Sequence, residues 1–155
     1  MKETILELQQ IVDRYFKVIS SIPESEFSSK PNADKWSKKE VLGHLIDSGQ
    51  NNLRRFICGQ YEVNPKITYD QDVWVSSNNY QGKPSKDVIL LWKLTNEQIC
   101  LILESMPEAN YFKSADTGKA EVQLHSLEWL AVDYVRHLKH HLNQIIAGSF
   151  DIVYK

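Results

Sequence analysis

Apolar residues recur at three- and four-residue intervals in four long stretches of the chain, and this spacing is typical of amphipathic helices. The predicted helices cover about residues 2–20, 37–58, 85–106 and 126–147. We find no convincing strand pattern, so we expect no strands. Four apolar stripes of this length can be buried together only as a bundle. The sequence therefore predicts the all-α class, as a four-helix bundle forming one domain over residues 1–155.

Local signals set the ends of the second predicted helix. Ser37 and Glu40 have the spacing of a capping box, in which each side chain accepts a hydrogen bond from the other's backbone N–H. Gly59 is the predicted stop. The long connection of residues 60–84 follows, with a helical turn expected near residues 70–76. A connection of this length is often functional, and here it could cover an opening.

Composition and charge argue against a nucleic-acid-binding or membrane-spanning protein. Eighteen basic and twenty acidic residues give a net charge of −2, so the chain lacks the positive field of a nucleic-acid-binding protein. No apolar run approaches the ~20 residues that cross a bilayer, so we expect no membrane partner. Cys58 and Cys100 form no C-x-x-C pair, and the first residues do not resemble a signal peptide. We therefore expect a reduced, cytoplasmic domain.

The histidines carry the chemical information in this sequence. His137 and His141 lie one helical turn apart, about 40° from each other around the fourth predicted helix and at the edge of its buried arc. Two imidazoles at this spacing can reach one metal ion. The alternative is a pair of partly buried histidines satisfied by hydrogen bonds. His125 and His140 are not expected to take part.

A third histidine lies in the second predicted helix. His44 falls just off the apolar arc, on a polar stripe that continues through Ser48, Asn51, Asn52 and Arg55. A bundle can bring His44 opposite the other two histidines, which gives a three-nitrogen site with an open coordination position. Asp47 is then a carboxylate behind the ligands or a proton carrier, and the alternative is a solvated helix acid.

A substrate pocket is predicted around these ligands. Gln144 lies beside His137 and His141 and could orient a bound water or a substrate, or else be a polar residue at the rim of the bundle. The predicted pocket residues come from both helices and are Ser48, Asn51, Arg55, Tyr134 and Gln144.

Two segments resemble the histidine blocks of the DinB/YfiT-like superfamily. The first runs from Lys35-Trp36-Ser37 through His44 to Asp47-Ser48, and the second from Glu128-Trp129-Leu130 through His137 to His141 and Gln144. The resemblance implies a four-helix bundle, often a homodimer, with a divalent metal held by His44, His137 and His141. Members are mostly described as candidate metal-dependent hydrolases, and some related proteins are transferases that use low-molecular-weight thiols such as bacillithiol or mycothiol.

Two functional hypotheses follow. In the first, Zn²⁺ or Ni²⁺ activates a water or a low-molecular-weight thiol toward a small-molecule substrate. A hydrolase needs a proton acceptor, for which Asp47 is the candidate. A thiol S-transferase needs a groove for a charged cosubstrate, for which Arg55 and residues 60–84 are candidates. The second hypothesis is a non-catalytic dimeric stress-response bundle with a structural or vestigial metal site.

Self-association of the chain is predicted from the first and third predicted helices. Their apolar residues cover more of the helix circumference than one buried stripe requires. An exposed apolar patch of a few hundred Å² usually marks an interface. We therefore expect a two-fold homodimer that uses part of one of these helices. The alternative is that the connections 60–84 and 107–123 cover this surface.

Overall fold

The structure, a computed structural model, describes residues 1–154 of the chain. Its helices are α1 (Lys2–Ser20), α2 (Glu24–Phe27), α3 (Lys38–Cys58), α4 (Gln71–Asn78), α5 (Ser85–Ser105) and α6 (Leu127–Ile145). Short 3₁₀ turns cover Tyr80–Gly82 and Glu108–Asn110. Strands β1 (Ser114–Asp116) and β2 (Leu124–Ser126) pair antiparallel, with Ala115 opposite His125.

The four long helices α1, α3, α5 and α6 form the predicted bundle. Helix α3 packs against α5 and α6, and α1 packs against the same two helices. Their apolar faces meet in one core, in which Trp92 and Phe56 are fully buried. The contact between α3 and α6 places the helix of His44 beside the helix of His137 and His141.

Helix α3 begins at the predicted capping box. The Glu40 backbone N–H donates to Ser37 Oγ at 3.1 Å, and the Ser37 backbone N–H donates to Glu40 Oε2 at 2.8 Å. Helix α5 and helix α6 both pack against α3, so α3 lies at the centre of the molecule. As a result it buries an unusual number of polar side chains, namely Lys39, Glu40, His44, Asp47, Ser48, Asn51 and Asn52.

Hydrogen bonds within the long connection between α3 and α5, and from it to the hairpin, order this segment. The turn expected near residues 70–76 is helix α4, which Asp70 caps at its first turn. Asp116 binds the connection to the hairpin, because its backbone N–H donates to Pro65 O and its carbonyl accepts from the Ile67 N–H, both at 3.0 Å. The connection is therefore held against the bundle at several points.

Two local expectations were wrong. The chain has two strands where none was expected, and α6 ends at Ile145 rather than near residue 147. Gly59 caps the end of α3 as predicted, although its φ of −62° is not the left-handed conformation that favours glycine. Among the described residues, none of the helices has both the length and the apolar character needed to cross a membrane.

Candidate metal centre

Three histidines converge where α3 faces α6. His44 extends from α3, and His137 and His141 extend from successive turns of α6. One ring nitrogen from each lies within 4.8 Å of the others, and Nε2 of His44 is 3.2 Å from Nε2 of His137. Ligands bound tetrahedrally at 2.0–2.1 Å are separated by about 3.3 Å. The spacing of the three side chains therefore fits a metal ion.

Burial keeps these imidazoles in the form that binds metal. Removal from solvent lowers the pKa of His44 to about 3 and, with the neighbouring histidines, holds the pKa of His137 well below its usual value. Burial also lowers the pKa of His141. All three rings are consequently neutral near pH 7, and a neutral imidazole has a lone pair to offer a metal.

Polar side chains contact the Nδ1 atoms of two of the three imidazole rings. Ser48 Oγ lies 3.4 Å from Nδ1 of His137, and Gln144 Oε1 lies 3.2 Å from Nδ1 of His141. Contacts of this kind fix the tautomer of a histidine ligand and leave Nε2 available for the metal. Nδ1 of His44 is buried and has no hydrogen-bond partner among the described residues.

Asp47 is fully buried, with 0% of its surface exposed, so the alternative of a solvated helix acid is wrong. Its Oδ1 accepts hydrogen bonds from the Tyr80 hydroxyl at 2.6 Å and from Asn78 Nδ2 at 2.9 Å. Its Oδ2 has no partner among the described residues. Burial is the main cause that raises the pKa of Asp47 to about 6.

The predicted pocket residues fall into two groups. Ser48 and Gln144 contact the histidines, whereas Arg55 bonds to Asn52, whose amide approaches Ser48. Asn51 and Tyr134 are 0% and 2% exposed, and they bond inside the bundle to the Asp47 carbonyl and to Asn96. These two side chains are therefore bonded within the bundle and make no hydrogen bond to the histidines.

The remaining histidines lie outside the cluster, as expected. His125 stacks on Trp129 with ring centroids 3.9 Å apart. His140 lies beside the cluster, where Gln144 Nε2 approaches its Nε2 at 3.3 Å. Neither belongs to the group of ligand atoms that could hold one metal ion.

Two aromatic residues beside the centre are absent from the predicted pocket, although one of them, Trp36, belongs to the first histidine block. Trp36 lies against His44 with ring centroids 5.2 Å apart, and Tyr154 lies 5.6 Å from the His137 ring. Trp36 stands next to Ser37, the N-cap of α3, and this position is the sequence signal for its place beside His44. Tyr154 carries no such signal, because tertiary contacts with Asp133, Arg136 and His140 on α6 bring it to the site.

A groove opens beside the cluster. Its volume is about 950 Å³, and both Trp36 and Gln144 line it. None of the three histidines lines the groove, but Trp36 and Gln144 connect it to them, because these residues contact His44 and His141 respectively. Its other lining residues include Lys35, Lys38 and Asp72, so its surface carries charges of both signs.

Fold and site together define a helical bundle with a three-histidine cluster between two of its helices. The family model of the DinB superfamily matches residues 7–145, and the chain belongs to this superfamily. The resemblance to the DinB/YfiT-like superfamily is thereby confirmed.

Relatives found by sequence similarity share a metal-related description. A protein of Geobacillus thermodenitrificans named "Putative metal-dependent hydrolase" is 24% identical over 148 residues, which is 95% of this chain and 83% of the relative. A Bacillus cereus protein with the same description is 24% identical over 144 residues, covering 91% of this chain and 80% of the relative.

Two solved structures share the fold. YfiT from Bacillus subtilis, described as "a probable metal-dependent hydrolase with an unusual four-helix bundle topology", superposes with a TM-score of 0.81 at 20% identity. The match covers 93% of this chain and 82% of YfiT. A mycothiol-dependent maleylpyruvate isomerase superposes with a TM-score of 0.71 at 10% identity, covering 91% of this chain and 59% of the isomerase.

Proposed function

We propose that this protein is a metal-dependent enzyme whose divalent ion is held by His44, His137 and His141. The observation that carries the proposal is the convergence of three neutral ring nitrogens within 4.8 Å at one point. Three nitrogen ligands leave a coordination position open, as in catalytic rather than structural zinc sites. Zn²⁺ and Ni²⁺ both suit imidazole ligands. The metal-dependent descriptions of the relatives support the same conclusion.

The favoured reaction is hydrolysis of a small molecule. A bound divalent ion would supply a Lewis acid that brings the pKa of a water ligand to about 7. Asp47 is the proposed proton acceptor, because its buried carboxylate has an unpartnered Oδ2 and a pKa of about 6. Tyr80 and Asn78 hold its other oxygen and so fix its orientation. Gln144 and Ser48 keep the ligand rings in place.

Transfer of a low-molecular-weight thiol is the second candidate. The observation that favours it is the structural likeness to a mycothiol-dependent isomerase. The same open position would accept a thiolate, because a metal lowers the pKa of a coordinated thiol. The adjoining groove of about 950 Å³ offers room for a polar cosubstrate.

Metal analysis together with a substrate screen tests the proposal. The purified protein should hold about one divalent ion per chain, and His137→Ala or His141→Ala should abolish binding. Both variants should remain helical, because a chain of this length has a core that folds without metal. His125→Ala is the matched control and should bind metal normally. Wild-type protein that binds no divalent ion would overturn the proposal.

Activity assays separate the two reactions. Esterase and amidase substrates should be cleaved by the metal-loaded protein if it is a hydrolase. Consumption of a thiol together with an electrophile identifies a transferase. Metal binding with neither activity would instead favour the non-catalytic bundle.

We also propose a homodimer formed through the outer face of α5. Leu90, Leu94 and Leu101 are 47%, 51% and 65% exposed and lie within about 40° of one another around the helix. The connections 60–84 and 107–123 therefore do not cover this face of α5, so the alternative that they shield the apolar surface does not hold there. In α1 most apolar residues are buried, and only Leu6 and Val18 are exposed.

A further inference from the structure

Arg55 lies two helical turns beyond Ser48 on the same face of α3. Its Nε and Nη2 atoms both donate to the Ile67 carbonyl, at 3.1 and 2.8 Å. Its Nη1 donates to Asn52 Oδ1 at 3.2 Å. A guanidinium has five N–H donors, so one N–H on Nη1 and one on Nη2 remain available.

The charge of Arg55 has no opposite charge beside it. Both of its acceptors are neutral, and none of the ion pairs formed within residues 1–154 includes it. Asp133 influences Arg55 only at longer range, and its carboxylate accepts from the Tyr154 hydroxyl at 3.1 Å. The side chain is half-buried, and burial is the main cause that lowers the pKa of Arg55. A partly desolvated cation without a counter-charge is costly, and an anion would offset that cost.

A polar chain of side chains joins Arg55 to the metal centre. Ser48 Oγ lies 3.4 Å from Nδ1 of His137, and Asn52 Nδ2 approaches the same hydroxyl oxygen at 3.5 Å. Asn52 Oδ1 in turn accepts from Arg55 Nη1. The guanidinium is therefore separated from a proposed metal ligand by only two short side chains.

The surroundings of Arg55 are neutral and open to solvent in part. Tyr69 and Tyr154 both lie close enough to act on its charge, and burial raises the pKa of each phenol, so neither is ionised near neutral pH. Arg55, His137 and both tyrosines each keep part of their surface exposed. Solvent therefore reaches both the His137 ring and the guanidinium.

We infer that Arg55 binds an anionic group of the substrate, a carboxylate or a phosphate, while the reacting end of the substrate lies at the three histidines. The inference rests on the proposed function, because it places the two ends of one molecule at the metal centre and at Arg55. The two remaining N–H groups can serve both oxygens of a carboxylate, which a lysine ammonium cannot do in the same geometry. Arg55 is thus a specificity-determining residue.

A series of paired thiols tests the inference. Protein loaded with Co²⁺ is titrated with ω-mercaptocarboxylic acids of three to six carbons and with the ω-mercaptoalcohols of equal length, and binding is followed by the thiolate-to-cobalt absorption band. At the best length the acid should bind about 10- to 100-fold more tightly than the alcohol, the range of a charge-assisted pair. Competition by acetate and by inorganic phosphate then distinguishes the two anions.

Variants assign the preference to Arg55. Arg55→Gln should remove the preference for the acid while leaving the affinity for the alcohol unchanged, and Arg55→Lys should keep part of it. Arg54→Gln is the matched control, because Arg54 is its exposed neighbour on α3. If Arg55 only holds the connection through Ile67, Arg55→Gln will lower thermal stability but leave the acid-to-alcohol ratio unchanged, and that result overturns the inference.

Wild-type protein alone also decides the question if Arg55→Gln does not fold. Equal affinity for acid and alcohol at every length, or no binding of either probe to the cobalt-loaded protein, overturns the inference. A protein that takes up no Co²⁺ at all overturns the proposed function instead, so the two failures are distinguishable.

Discussion

Ser48 Oγ lies 3.4 Å from Nδ1 of His137, on the side of the ring away from Nε2, which is 3.2 Å from Nε2 of His44. The two residues come from different helices, α3 and α6. The contact thus couples the packing of these helices to the orientation of one proposed ligand. It also gives the polar stripe of α3 a role beyond filling space, since the stripe lies behind the metal centre.

Ser48→Ala should weaken metal binding by about 10-fold, because loss of a partner behind a histidine ligand usually costs 10- to 100-fold in affinity. The contact is long, so the lower end of that range applies. Competition with a chromogenic chelator measures the change. Ser76→Ala, at an exposed serine of α4, is the control and should not alter affinity. Equal affinities for wild type and Ser48→Ala would contradict the prediction.

In the metal-free protein, the contribution of Asp47 to stability should fall between about pH 4 and pH 7, while the lowered pKa values of the three histidines act in the opposite direction. The pKa of Asp47 is about 6 in the folded protein against a usual 3.8, so the folded state holds the proton more tightly than the unfolded chain. The stabilisation is therefore complete below pH 3.8 and is lost as pH rises through 6. Two pKa units correspond to about 3 kcal/mol.

Asp47→Asn isolates this effect, because an amide does not titrate and its oxygen can still accept from Tyr80 and Asn78. Denaturant unfolding of both proteins after chelation gives the comparison. The variant should gain up to about 3 kcal/mol over wild type as pH rises from 4 to 7. A difference that is constant with pH would show that Asp47 is ionised normally.

Gly43→Ala should destabilise the protein by about 3 kcal/mol, although alanine normally favours a helix over glycine. A Cβ at this position would overlap the ring of Tyr80. The ring would move and release its hydrogen bond to Asp47. Chemical denaturation of single and double variants measures the effect. In the Tyr80→Ala background, the same change at Gly43 should cost less than about 1 kcal/mol, and full additivity would contradict the clash.

Local sequence signals predicted the features that depend on local geometry. The start of α3 follows from the spacing of Ser37 and Glu40, and the shared face of His137 and His141 follows from one helical turn. The opposing position of His44 required only that its helix pack beside theirs. For these reasons both the bundle and the histidine cluster could be expected before the structure.

Features that depend on distant contacts could not be predicted in the same way. Asp47 is buried because Asn78 and Tyr80 come from the connection after α3, and nothing near Asp47 in the sequence indicates this. The strands have three residues each, too few for an alternating pattern, and Asp116 ties β1 to the same connection. The start of α3 and its end at Gly59 therefore followed from local residues, whereas the environment of the carboxylate did not.

The last prediction concerns the outer face of α5. Exposed leucines on one helix face are costly in water, and a second copy of the same face would bury them with two-fold symmetry. We expect light scattering at micromolar concentration to give twice the chain mass of 18.0 kDa. Leu94→Glu places a charge at the centre of the leucine face and should convert the dimer to monomer without loss of helix content. Leu6→Glu on α1 is the matched control, since Leu6 is also exposed, at 55%. A wild-type mass near 18.0 kDa would refute the dimer, and dissociation by Leu6→Glu alone would move the interface to α1.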